Sequence, residues 1–377
     1  MAFYSAPSKA VLLIVATAAL LGACSGNSKR PPPADLGANT PLIGVRQAWA
    51  SRLGEPPLGA WPAVAGSTVV VAAVDGTVAA LDAATGRDIW RGSAGAKLAT
   101  GAGTDGKVVA VVTQANEVVA LDGGKELWRT KIGAQAYTAP LVAGGRVFVL
   151  AADRSVSAFD GTTGRQLWTQ KRSSDPLVLK QPGSLLAVGD TLVVGLAGRL
   201  AGLNPNNGVV RWEAALALPR GANEIERLVD MTGRANRVGN VVCVRAYQAA
   251  VGCVDAARGT LVWTKPANGS EGVDGDDQLV ISTEGDGKVI AWRRNDGEKI
   301  WTSERLRYRD LSAPLVLGRS VIMGDSAGTV HLLSRQDGSP LNRLSTDSSG
   351  IAATPVQAGD TLIVVTRNGG IYGFAPE

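Results

Sequence analysis

The stretch Ala80-Leu-Asp-Ala-Ala-Thr-Gly-Arg-Asp-Ile-Trp90 decides the fold, because it returns along the chain. Upstream, Val69-Val-Val-Ala-Ala-Val-Asp-Gly-Thr-Val-Ala-Ala-Leu-Asp82 reads as two apolar strands folded about Asp75-Gly76, the strongest short hairpin signal. Thr85-Gly86 turns the chain again, and Trp90 lies at the end of a third strand. The pattern recurs as Ala120-Leu-Asp with Trp128, Ala158-Phe-Asp-Gly-Thr-Thr-Gly-Arg-Gln-Leu-Trp168 and Gly202-Leu-Asn with Trp212. It recurs again as Cys253-Val-Asp with Trp263, Ala291-Trp-Arg with Trp301, and Leu332-Leu-Ser with Asn342 in the Trp position. From Trp90 onward the spacings are 38, 40, 44, 51, 38 and 41 residues. A strand-patterned repeat near 40 residues means one propeller blade per repeat.

Counting closes the ring. Seven full repeats end at Asn342, and an eighth begins at Thr354-Pro355 and stops after Ile371-Tyr-Gly-Phe374, without a turn or a Trp. The missing strand lies in Val45-Arg-Gln-Ala-Trp49, since Trp49 precedes Trp90 by 41 residues, in phase with the repeat. The reading is therefore all-β: an eight-bladed propeller of four-stranded antiparallel blades, with one N-terminal strand completing the last blade. That closure removes a free edge and ties down both termini.

The motif has a physical role. The aspartate hydrogen-bonds amides of its own turn, and the glycine supplies positive φ. The Trp buries a large flat surface, and the small residue ten positions earlier (Ala80, Ala158, Cys253) leaves room for the ring. The pattern resembles the tryptophan-docking motif of quinoprotein-type propellers, with the Trp residues holding blades together rather than forming a ligand box. Trp61 and Trp292 fall off phase and stay unassigned.

Length alone allows two domains, but the unbroken repeat argues for one ring. The 47 glycines suit many tight hairpins. The net charge of +5 is scattered, with no basic run longer than Lys171-Arg172 or Arg293-Arg294, so no nucleic-acid track is expected. The one histidine, His331, sits in a strand and is expected to be packed or solvated. Most acid–base, Ser-His and His-metal chemistry goes with it. No catalytic residue, cofactor or metal is assigned, and the chain is not expected to be an enzyme.

Residues 1–23 read as a secretion signal: Lys9, then an apolar run from Ala10 to Leu21, too short to span a bilayer stably. Its end, Leu21-Gly22-Ala23-Cys24, resembles the bacterial lipobox, which implies acylation of Cys24 and a permanent anchor. Ser25, rather than Asp, implies sorting to the outer membrane, with the globule in the periplasm. Residues 24–43, with Pro31-Pro32-Pro33, are expected to be the lipidated Cys and a flexible tether, and 44–377 the propeller. About 20 random-coil residues would hold the ring roughly 25 Å from the membrane.

Cys243 and Cys253 lie in one blade. An oxidising compartment permits a disulfide. If Gln248-Ala249 forms a two-residue turn, Cys243 faces Val254 and the sulfurs point to opposite faces, which favours two buried thiols. A one-residue bulge reverses that.

Two segments break the repeat, Lys171 to Gly183 and Ala214 to Arg237. Each follows an outer Trp strand and leads into an inner one, so both are expected on the same face. One carries Leu177, Val178 and Leu179 beside Lys180, and the other Glu224, Glu226, Arg227 and Asp230 around Ile225 and Leu228. An apolar patch rimmed by mixed charge suits a protein partner. The other reading tucks these leucines under their own loop.

A lipobox, a tether and eight docking blades together resemble the BamB family, the propeller lipoproteins of the outer-membrane β-barrel assembly (BAM) machinery. Glu224-Ile-Glu-Arg-Leu-Val-Asp230, Gly324-Asp-Ser-Ala-Gly328 and Asp347-Ser-Ser-Gly350 carry the more specific likeness. The resemblance implies a scaffold, monomeric within the complex, that binds the periplasmic POTRA region of BamA and touches other lipoproteins only indirectly. It implies contact through a Leu-x-Leu-Arg tetrad, here Leu177-Val178-Leu179-Lys180, and an Asp-x-Asp, here Asp230-Met231-Thr232. The site residues are therefore Leu177, Leu179, Lys180, Arg227 and Asp230. Lys180 keeps the charge but lacks the bidentate fork of Arg, and Thr232 removes one possible ion pair. The same scaffold, through a free strand edge, is a candidate platform for nascent barrel proteins. Two other readings stand beside it. A glycan- or peptidoglycan-binding propeller would use Trp61 and Trp292 as sugar platforms. A quinoprotein dehydrogenase would need a vicinal Cys-Cys and funnel acids, neither of which is evident in the sequence.

Overall fold

Every expected Asp-x-x-x-Gly hairpin forms by the chemistry its residues dictate. Asp82 accepts hydrogen bonds from the Thr85 amide (2.9 Å) and hydroxyl (2.7 Å), and the Gly86 amide returns to the Asp82 carbonyl at 2.8 Å. At Asp160 the same turn, with Thr162 and Thr163 as donors, holds the carboxyl down at about 2. Gly86 has φ 69°, and a methyl placed on it would stand 2.4 Å from the ring of Trp49. Conformation and close approach both demand glycine there.

The computed structural model describes residues 31–171, 177–218 and 228–377, with Met1. Ala34–Glu377 forms one compact unit. Its strands make eight four-stranded antiparallel sheets, each a blade. Blade 1 consists of Ala63–Ala65, Thr68–Ala72, Thr77–Asp82 and Asp88–Ser93, and the next six follow the same order. The short first strands of neighbouring blades approach one another and so line the axis, while the fourth strands face outward. Blade 8 takes Val356–Ala358, Thr361–Val365 and Gly370–Pro376 from the C-terminus and Val45–Arg52 from the N-terminus, with Trp49 opposite Gly373. The sequence-based closure of the ring holds.

Middle strands are buried on both faces because alternate side chains serve different neighbours. Val70, Ala72, Val78 and Ala80 pack towards blade 2, and Val69, Val71, Ala79 and Leu81 towards blade 8. Among the described residues the core is eight such clusters, one at each interface between blades. Docking Trp residues complete all of these clusters but the one between blades 7 and 8, where Asn342 holds the position. Trp90, Trp128, Trp168, Trp263 and Trp301 stand opposite Ala80, Ala120, Ala158, Cys253 and Ala291. Trp49, Trp128, Trp168, Trp263 and Trp301 donate their indole N–H to a carbonyl in the turn of the following blade.

Three expectations change. Cys243 and Cys253 form a disulfide, not two thiols. Ala246 pairs with Ala250, so the turn holds three residues, Tyr247 to Ala249, with Gln248 at φ 47°. That single extra residue moves Cys243 directly opposite Cys253. The expected tether also ends early. Ala34 donates its amide to the Arg307 carbonyl (2.9 Å) and accepts from the Arg309 guanidinium (2.6 Å), Leu36 packs between blades 6 and 7, and Leu42 donates to the Leu341 carbonyl (2.7 Å). Residues 34–43 thus lie along the outer edge of blade 7. Finally, Trp292 is buried against Trp263 with its N–H on the Ser282 hydroxyl (3.0 Å), so it offers no platform to a sugar.

Candidate functional site

The two insertions meet on one face, and a single carboxylate joins them. Asp230 precedes the first strand of blade 5, and Leu177 to Lys180 lie in the segment leading into blade 4. One oxygen of Asp230 accepts the amide of Leu179 at 3.0 Å, and the other accepts the guanidinium of Arg154 at 3.0 Å. The carbonyl of Asp230 receives the amide of Tyr247 at 2.9 Å. Arg154 also donates to the carbonyl of Leu177 at 3.2 Å. Further along, Gly233 donates to the Pro182 carbonyl (2.8 Å) and Gly183 to the Thr138 hydroxyl (2.8 Å). The segments are therefore stitched over several residues, with a hollow of about 50 Å³ behind them.

The structure brings Leu177, Leu179, Lys180 and Asp230 together. Leu177, Val178 and Leu179 are half-buried and Lys180 is exposed. Arg227, with Glu224, Ile225 and Glu226, lies outside the described residues. Thr232 is buried at 2% exposure, so an acid there would face the interior rather than a partner. Beside the loops runs an apolar groove of about 940 Å³ bounded by Leu179, Leu216, Leu218, Leu228 and Tyr247. Cys24 also lies outside the described residues.

Sequence reasoning missed Arg154, which sits in a blade 3 turn, 23 residues from Leu177 and 76 from Asp230 along the chain. The available signal was an arginine in a turn position filled by Gly76, Gly287 and Gly328 in other blades. It also missed the acids of the axial cavity. Segments of most blades line that cavity of about 570 Å³, among them Trp61, Lys180, Glu271, Glu284 and Arg367. Glu284 is committed to the fully buried Arg245 (2.9 Å). Burial pushes the Glu271 carboxyl up, against a hydrogen bond from Ser270 and the nearby charge of Arg245. His331 is packed, as expected, at 2.9 Å from Asp325. Among the described residues no three His, Cys, Asp or Glu side chains converge as a metal requires.

Docked blades, glycine turns and a last blade closed by one N-terminal and three C-terminal strands define an eight-bladed propeller of the tryptophan-docking class. The family model for the outer membrane protein assembly factor BamB matches residues 45–100 and 74–303. The BamB of Burkholderia pseudomallei is 36% identical over 380 residues, covering 99% of this chain and 98% of the relative. That of Pseudomonas aeruginosa is 36% identical over 375 residues, covering 97% and 98%. The chain belongs to the BamB family of outer membrane protein assembly factors, which are not catalysts. Among solved structures, BamB from Moraxella catarrhalis superposes with TM-score 0.80 at 22% identity, over 88% of this chain and 99% of that one. A quinohemoprotein alcohol dehydrogenase from Comamonas testosteroni gives 0.69 at 15% identity, over 93% and 82%. These two likenesses speak for the fold alone.

Proposed function

We propose that this propeller is a scaffold lipoprotein of the BAM complex, held to the outer membrane by acylated Cys24 and facing the periplasm. It binds the POTRA region of BamA at a surface built from Leu177, Leu179 and Lys180, with Asp230 and Arg227 from the second insertion. It thereby assists folding and insertion of β-barrel proteins. The observation that carries the reading is the joining of the described parts of the two insertions through Asp230, which sets Leu177 to Lys180 and Asp230 in one preformed stretch of surface. A preformed surface binds without an ordering cost. The half-buried leucines and the apolar groove beside them give this surface an apolar centre rimmed by charge, as a protein-binding patch requires.

The test is titration of the full-length chain, in detergent, with the cognate POTRA region. Replacing Leu177 and Leu179 together by Ala is expected to cost about 2–4 kcal/mol of binding while leaving the melting temperature within a few degrees. Undiminished binding by that variant would move the site elsewhere on the ring. No binding by the wild-type chain would remove the reading and leave a glycan ligand at Trp61 to be tested on cell-wall sacculi.

A further inference from the structure

We infer that Arg154 is a positioning residue for this surface: it clamps the two insertions into the shape that the partner reads. The inference rests on the proposed function above. Three observations carry it.

The first is backbone conformation. Arg154 has φ 60°, in a turn where its amide donates to the Ala151 carbonyl. The residues making the same amide-to-carbonyl bond in blades 1, 2, 6, 7 and 8 are Gly76, Asn116, Gly287, Gly328 and Gly369, all at positive φ. Glycine and asparagine are the residues that take this conformation readily. An arginine there is strained for the turn, and such strain persists where the side chain has another task.

The second is what the side chain does. Arg154 is only 9% exposed, and its guanidinium reaches Asp230 at 3.0 Å and the Leu177 carbonyl at 3.2 Å. It therefore ties an acid from one insertion to the backbone of the other. The third is the state of Asp230. Both of its oxygens are engaged within the chain, one by Arg154 and one by the Leu179 amide. Asp230 acts first on the shape of the Leu177–Leu179 segment, and Lys180 is the exposed charge beside it.

Binding of the full-length chain to the POTRA region, with melting temperatures alongside, separates the possibilities. Arg154→Gly relieves the backbone and deletes the clamp. It is expected to melt within a few degrees of the wild-type temperature, the relieved turn offsetting much of the lost ion pair, and yet bind about tenfold more weakly or worse. Arg154→Lys, which keeps the charge but not the fork, should fall between. Asp230→Ala should weaken binding like Arg154→Gly, and the double variant should be no weaker than the weaker single, because one clamp is lost once. Asp88→Ala, which removes an exposed pair with Arg91 on blade 1, serves as the control and should bind like wild type. Wild-type affinity in Arg154→Gly, while Leu179→Ala is weakened, overturns the clamp and leaves the surface standing. Additive losses in the double variant also overturn it, since Asp230 would then meet the partner directly. A melting temperature that falls in step with affinity makes Arg154 merely structural. Absence of wild-type binding removes the surface and the clamp together.

Discussion

The side-chain amide of Asn342 in blade 7 donates to the carbonyl of Ile43, 2.9 Å away, at the point where the N-terminal strand enters blade 8. The same side chain accepts from Asn39 at 3.1 Å. In every other repeat the residue at this position is a Trp, and it rests on a glycine turn of the following blade; Gly86, Gly164 and Gly208 carry Trp49, Trp128 and Trp168. That glycine stands four residues before each outer Trp. Four residues before Trp49, however, the chain has Val45, in an extended strand, because the last blade is closed without a covalent turn. A valine side chain leaves no flat floor for an indole ring.

Asn342→Trp, which restores the repeat consensus, should therefore destabilise the ring by about 1–3 kcal/mol through overpacking. A urea midpoint lowered at unchanged slope, with faster amide exchange at Leu42, is the expected result. An unchanged midpoint would show that the seam has room for the ring.

The Cys243–Cys253 bridge joins adjacent strands at a sequence separation of 10 residues, and both cysteines are fully buried. Closing so short a loop restricts the unfolded chain by about 2–3 kcal/mol on the chain-entropy account. Replacing both cysteines by Ala should lower urea stability by about that much, with no loss in blade pairing by circular dichroism. A double variant as stable as wild type would mean that packing around Trp263 and Trp292 already does the bridge's task.

Asp325 should make the ring sensitive to acid. Burial acts to raise its carboxyl, but hydrogen bonds from His331 and Arg309 outweigh burial and hold it at about 2, below its ordinary 3.8. A depressed carboxylate contributes stability that is present above the ordinary value and lost as pH falls towards the folded one. Stability should thus decline between about pH 4 and pH 2. Asp325→Asn should cost about 3–5 kcal/mol at neutral pH, because it leaves Arg309 without its buried partner, and much less near pH 2. Parallel melting curves for the two proteins across that range would remove Asp325 as the source.

Much of the fold was legible because blade interfaces repeat. A docking Trp, a small residue opposite it and a glycine turn are local patterns at fixed spacing, so phase alone assigned Trp49 to blade 8. The two insertions were legible as departures from that phase. Their junction was not. Arg154 is separated from Asp230 by 76 residues and from Leu177 by 23, and no local pattern links residues that far apart.

The amino-acid sequence by itself determined the number of blades, their order and the closure of the ring, because each rests on turn chemistry and alternation within about 40 residues. Tertiary structure decided what depends on register and on distant segments. One residue more in the Tyr247–Ala249 turn made a disulfide of two cysteines expected to stay apart. Residues 34–43, polar enough to read as free chain, found carbonyls and guanidinium groups on blade 7. Asp230, expected as a charge for a partner, also joins Arg154 to the Leu179 amide, because a carboxylate is held by whichever donors the folded chain brings within about 3 Å.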